Sequence, residues 1–229
     1  MADRNPPPTE EYRDFIEVFC DLWYRGLRDP ARTQAQTLAW MLEGYAQTIY
    51  GRSCGADNLL TGDPADSDPG RLFDAYRRAF PAVTYEDLKP WIERVIAGEV
   101  EALLPEPPVA WAMTRGTTRG VSKRIPITQT DLGIRVAAAR GLLNHLLRTD
   151  QLEAINGYSL NLNYPSVVGT MDVAGEETPY GFSSGIYVRH AAEATPVSIL
   201  PPQEEIDVLG GGTTPGAWKR RFEMVYQRT

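Results

Sequence analysis

Met113-Thr114-Arg115-Gly116-Thr117-Thr118-Arg119-Gly120-Val121-Ser122-Lys123-Arg124-Ile125-Pro126-Ile127-Thr128 is the stretch on which the reading of this chain turns. Gly116 and Gly120, four residues apart, let the backbone take positive φ and come close to a ligand. Thr114, Thr117 and Thr118 add hydroxyl donors between and beside them, and Lys123 closes the stretch with a positive charge. Such a loop can cradle phosphate oxygens. The apolar run Val109-Ala110-Trp111-Ala112-Met113 before it and Arg124-Ile125-Pro126-Ile127 after it predict that it joins two extended segments and opens no helix. That context argues against a Walker A loop, and so does the spacing, because Gly120 is followed by Val121-Ser122 where Walker A needs Lys and then Ser or Thr. The plain alternative is a tight hairpin turn with no ligand, which needs only one or two such residues.

The rest of the composition sets bounds. With 229 residues, 42% of them hydrophobic, the chain can bury one sizeable core, as one domain with room for a flap. Its 23 Lys and Arg against 30 Asp and Glu give a net charge of -7, which speaks against nucleic acid or an anionic lipid surface as a general partner. No apolar run approaches a membrane span, and Met1-Ala2-Asp3-Arg4-Asn5-Pro6-Pro7-Pro8 has no apolar signal core. With only Cys20 and Cys54, the expectation is a cytoplasmic protein with reduced thiols, and His145 and His190 form no recognisable zinc motif.

Along the chain, residues 1–8 read as a proline-rich, disordered arm. A helical part follows over 9–104. Thr9 caps a first helix whose Phe15, Val18, Phe19, Leu22 and Trp23 share a face, and Asp29-Pro30 opens a second that runs past Ile49 to Gly51. Thr84 with Asp87, and Thr128 with Asp131, mark two further helix starts, the second predicting one helix over 129–149. From Gly157 to 209 the segments Tyr158–Asn163, Val167–Val173, Ile186–Val188 and Ile206–Leu209 read as strands and turns, and 217–227 as a terminal helix. The expected fold class is α/β, with α+β as the other option: helices first, then a mixed sheet that residues outside the chain would complete.

Three motifs compete with the loop. Gly51-Arg52-Ser53-Cys54-Gly55 spells a nucleophile elbow, but that chemistry needs a strand entering and a helix leaving. Gly210-Gly211-Gly212-Thr213-Thr214 lacks the third glycine of a dinucleotide fingerprint, because Pro215 stands there. Lys219-Arg220-Arg221 reads as the solvated face of the last helix.

The loop resembles the phosphate-binding loop of adenylate-forming enzymes, and its surroundings resemble one branch of them, the auxin-responsive Gretchen Hagen family of acyl acid-amido synthetases. Phe80-Pro81-Ala82-Val83-Thr84-Tyr85-Glu86-Asp87-Leu88 through Glu99 looks like that family's approach to the loop, Lys123–Thr128 like its continuation, and 36–50 like its N-terminal helix. The likeness implies ATP-dependent activation of a small-molecule carboxylic acid as acyl-AMP, then transfer to an amino acid, with Mg2+ accompanying the nucleotide. It carries phosphate binding onto Thr114, Gly116, Thr117, Thr118, Gly120 and Lys123. Arg115 stands where the family has a small hydroxyl residue, and a guanidinium there would either pair with phosphate oxygens or block the site. No catalytic residue is identified. The family's downstream motifs are not legible in 150–229, so the expectation is the N-terminal part of an adenylating domain, truncated or completed by a C-terminal portion elsewhere. The alternative is a non-catalytic remnant or nucleotide-binding module that acts with a partner chain.

Overall fold

A computed structural model describes residues 9–60, 69–114, 122–138, 140–194, 198–209 and 215–228. Helices dominate its first half: α1 Thr9–Arg28, α2 Pro30–Tyr45, α3 Ile49–Ser53, α4 Pro69–Ala79 and α5 Tyr85–Ile96. The second half is mixed: β1 Ala110–Met113, β2 Arg124–Ile127, α6 Gln129–Ala137, α7 Arg140–Arg148, β3 Tyr158–Leu160, β4 Gly169–Val173, β5 Glu176–Phe182, α8 Ser183–Ala194, β6 Ser198–Leu200, α9 Gln203–Val208 and α10 Pro215–Arg228. The arrangement is helical first and mixed helix and sheet afterwards.

Local chemistry explains several boundaries. The Asp29 carboxylate accepts from the Arg32 N–H, with Pro30 in the first helical turn of α2. The predicted run of α2 to Gly51 fails at Thr48, whose hydroxyl donates to the Tyr45 carbonyl and accepts from the Gly51 N–H, capping a separate short helix. The single helix expected over 129–149 is two, because Ala138 closes α6 by donating to the Ile134 and Arg135 carbonyls.

Two expected strands are helices. Ile186-Tyr187-Val188 lies inside α8 and Ile206–Val208 inside α9. Short β-branched runs do not distinguish strand from buried helix; Gly185 and Ile186 are buried on α8, and Gln203 and Ile206, three residues apart, are buried on α9. The face expected for α1 also differs: Ile16 and Cys20 are the buried residues, while Phe15, Val18 and Leu22 are exposed.

The principal sheet has the order β2-β1-β5-β4, and β3 pairs with β6 in a separate parallel ribbon. β1 is antiparallel to β2, with Ala110 opposite Ile127 and Met113 opposite Arg124, and parallel to β5, with Met113 opposite Phe182. β4 and β5 form a hairpin through Ala174 and Gly175, both at positive φ (52° and 88°), the conformation a two-residue hairpin turn needs.

The described residues fall into two packing units: one holds those within 9–21, 109–171 and 178–228, the other those within 22–108 and 172–177. The first centres on Ala112, Ile127, Leu132 and Ile186, the second on Leu38, Leu42 and Ala56. No described helix is long and apolar enough to cross a membrane. The triglycine turn at 210–214 and the arm at 1–8 lie outside the described residues.

Candidate phosphate-binding hairpin

Strand β1 reaches the loop through a buried stretch: Trp111 is 1% exposed and Ala112 packs against Ile127, Leu132 and Ile186. Burial on that scale fixes the strand's register, since a one-residue slip would turn Trp111 to the opposite face. Beyond the last strand pair, the Thr114 N–H donates to the Lys123 carbonyl at 3.1 Å, and the Lys123 N–H donates to Thr114 Oγ1 at 3.1 Å. These two contacts close the base of the loop. Among the described residues the Thr114 hydroxyl acts as acceptor, which leaves its proton available to a ligand.

Of the expected site residues, Thr114 and Lys123 are thus brought together across the hairpin. Arg115, Gly116, Thr117, Thr118 and Gly120 lie outside the described residues. Arg124, one residue past the loop's base, stacks its guanidinium over the Tyr180 ring at 3.7 Å and so ties β2 to β5 across β1.

Sequence reading missed the neighbour of this loop. Because β5 runs parallel to β1 and ends at Phe182 opposite Met113, the N-terminus of α8 lies at the same end of the sheet as Thr114. A helix start carries N–H groups without intrahelical partners and the positive end of the macrodipole. In open sheets with parallel strands, ligands sit beyond the carboxyl ends of the strands. The available signal was Ser183-Ser184, residue types that favour helix starts, hidden by the β-branched residues that follow.

The start of α8 is held by close backbone packing. A Cβ on Gly181 would stand 1.9 Å from the Ser166 carbonyl oxygen, and one on Gly185 2.2 Å from that of Tyr164, so the segment 164–166 lies directly on both glycines. A buried polar network anchors that segment. Asn161 donates to Gln203 Oε1 and the Pro201 carbonyl, both at 3.1 Å. Gln203 in turn donates to the Tyr164 carbonyl at 3.1 Å and to Asp207 at 3.0 Å. Asp207 accepts from both the N–H and the hydroxyl of Ser166. Arg221, expected on a solvated helix face, is 1% exposed and sandwiched over Tyr164 and Trp218 at 4.5 and 4.6 Å.

The other candidate motifs stand elsewhere. Ser53 is on a helix and donates to the Tyr50 carbonyl at 2.7 Å, a surface turn without the strand that an elbow requires. His190 with Arg189, Gln129 and Val109 lines a cavity of about 340 Å³ at the other end of the sheet, where β1 begins.

Comparison with known proteins extends these observations to a family. Residues 24–206 match the family model described as the GH3 family N-terminal domain. A probable indole-3-acetic acid-amido synthetase of Oryza sativa subsp. japonica is 32% identical over 142 residues, covering 58% of this chain and 23% of that protein. A jasmonoyl–L-amino acid synthetase of Nicotiana attenuata is 30% identical over 112 residues, covering 48% of this chain and 17% of that protein. A solved acyl acid amido synthetase bound to 2,4-DB overlays at 18% identity with a TM-score of 0.47, over 91% of this chain and 33% of that one. The matched stretches therefore span less than a quarter of these curated relatives. With the model covering most of its length, the chain belongs to the GH3 family, through that family's N-terminal domain.

Proposed function

We propose that this chain provides the phosphate-holding part of an ATP-dependent acyl acid-amido synthetase. The observation that carries the reading is the hairpin closed by Thr114 and Lys123 at the carboxyl end of β1, in a chain that belongs to the GH3 family. In the reaction such enzymes perform, a carboxylate oxygen attacks the α-phosphorus of ATP, the α–β bridging bond breaks and pyrophosphate leaves. An amino acid's amine then attacks the acyl carbon and displaces AMP. The loop acts on the first step. Thr114, Thr117 and Thr118 donate hydroxyl protons, the glycines bring backbone N–H groups close, and Lys123 supplies charge as negative charge builds on the departing pyrophosphate. Donors fixed before the reaction need no reorganisation during it. Magnesium would accompany the nucleotide's phosphates. The acid differs among the relatives named above, so the acid and the amine are left open. Cytoplasmic operation, where ATP and reduced thiols coexist, fits the free Cys20 and Cys54.

Arg115 favours a second reading, a nucleotide-binding module without turnover that works with a partner chain. Calorimetric titration of the 229-residue chain with ATP and magnesium separates the two. The chain should bind, and Lys123→Ala should weaken binding at least about tenfold, the loss of one charge-assisted contact. No binding by the unaltered chain sinks both readings. Pyrophosphate release that depends on an added carboxylic acid supports the synthetase, whereas binding without release in a broad acid screen supports the module.

A further inference from the structure

The helical unit contains a cavity of about 620 Å³ that the phosphate chemistry does not use. Its wall is aromatic. Phe80 is the hub, with ring centroids 5.8 Å from Tyr45, 6.5 Å from Tyr50 and 5.1 Å from Tyr76, and Tyr50 continues to Trp91 at 5.3 Å. Five rings in mutual contact ordinarily close over one another, because each has a large apolar area to remove from water. Here none of the five is fully buried, and four of them, Tyr45, Tyr50, Tyr76 and Phe80, line open volume. The volume lies in the range of small-molecule sites, about 300–1,000 Å³, and such sites are lined mainly by apolar and aromatic side chains with a few polar groups.

Charge selects among possible occupants. Arg77 is the cation on the lining, and it is held by Asp74 at 3.2 Å on the exposed face of α4. Asp87 lies close enough for its charge to act on Tyr50. Apart from Arg77 the lining is aromatic, apolar or hydroxyl-bearing, and burial first, then Cys54, Tyr76 and Asp87, hold the Tyr50 hydroxyl above its ordinary pKa. We propose that the Tyr45, Tyr50, Tyr76 and Phe80 cavity is a binding site for a neutral, planar aromatic molecule, stacked among the rings and separate from the loop that takes phosphate.

Two fluorescent probes that differ by one charge test it: N-phenyl-1-naphthylamine, which is neutral, and its sulfonate analogue 8-anilinonaphthalene-1-sulfonate. The neutral probe should bind the 229-residue chain saturably at one site, at least tenfold more tightly than the sulfonate. Ala82 lies on the rim and is exposed, so Ala82→Trp should fill the cavity without removing core contacts. It should cut neutral-probe affinity at least tenfold with an unchanged circular dichroism melt. If that variant does not fold, Val83→Trp on the same rim gives the same reading. Phe15 and Leu142 are exposed apolar residues that do not line this cavity, and Phe15→Ser with Leu142→Ser should leave binding intact. Absence of saturable binding overturns the proposal, as does binding that survives both rim variants or is lost in the Phe15 and Leu142 variant. Tighter binding of the sulfonate, abolished by Arg77→Gln, would also overturn it, showing an anion site instead.

Discussion

The same opening, a threonine with an aspartate three residues on, begins both α5 and α6, yet the two copies sit in different surroundings. At α6 the exchange is reciprocal: Asp131 accepts from the Thr128 N–H at 3.0 Å, and the Asp131 N–H donates to the Thr128 hydroxyl at 3.2 Å, with Thr128 buried. At α5 the same reciprocal box forms, with Asp87 accepting from the Thr84 N–H at 2.8 Å and the Thr84 hydroxyl at 2.7 Å, but both residues are exposed. The motif specifies the helix start in each case. What it is worth depends on whether water can replace the lost partner, and only burial decides that. The contrast extends to the units themselves. The unit carrying the loop fixes its backbone with a buried polar network that links distant segments, whereas the polar contacts described for the helical unit are local and its aromatic cluster stays open.

If that contrast is right, the largest effect should come from Asp207. Asp207→Ala removes the acceptor shared by Ser166 and Gln203 and leaves their donors buried, at a cost of about 3 kcal/mol. Urea unfolding measures the loss, and hydrogen exchange should rise over 158–185 while 30–100 stays protected. Equal loss in both regions would break the division into two independently held units.

A smaller effect sharpens the capping comparison. Thr128→Ala should destabilise by about 1.5–2 kcal/mol and Thr84→Ala by about 0.5–1 kcal/mol, the upper and lower parts of the range for lost helix caps. Equal values in urea midpoints would mean that burial does not set the difference.

The smallest effect is electrostatic and belongs to the helical unit. Hydrogen bonds from Thr84 hold the Asp87 carboxyl below its ordinary pKa, and the hydrogen-bonded Arg94 guanidinium does the same for Glu99. A carboxylate depressed on folding contributes stability that is complete above its unfolded pKa and disappears as pH falls through the folded value. Acidification from about pH 5 downwards should therefore raise hydrogen exchange over 84–99. In Asp87→Asn that acid sensitivity should be reduced, and an unchanged profile would remove Asp87 from the account.

Several features were legible without coordinates because their chemistry is local. Asp29-Pro30, Thr84 with Asp87 and Thr128 with Asp131 name their helix starts, since a cap needs only residues within one turn. The apolar run before Thr114 and the Ile-Pro-Ile after Lys123 named the two extended segments flanking the loop. The family resemblance rested on the same short stretch, and the match over 24–206 bears it out.

The break of α2 at Thr48 is a local cap that the reading passed over, whereas two other errors concern pairings between residues far apart in sequence. Ile186-Tyr187-Val188 carries strand propensity, but Gly181 and Gly185 admit the 164–166 backbone and helical packing follows, a contact across some twenty positions that no local pattern records. Arg221 looked like one of three solvated cations until Tyr164, far upstream, supplied a ring for its guanidinium. The sequence by itself determined where α2, α5 and α6 begin, which stretch bears the loop and which family the chain resembles, because hydrogen bonds within a turn and residue order along a motif are properties of neighbours. Only the tertiary structure decided that β5 runs beside β1 and brings the start of α8 to the loop's end of the sheet, because strand order and direction are set by burial across the whole chain.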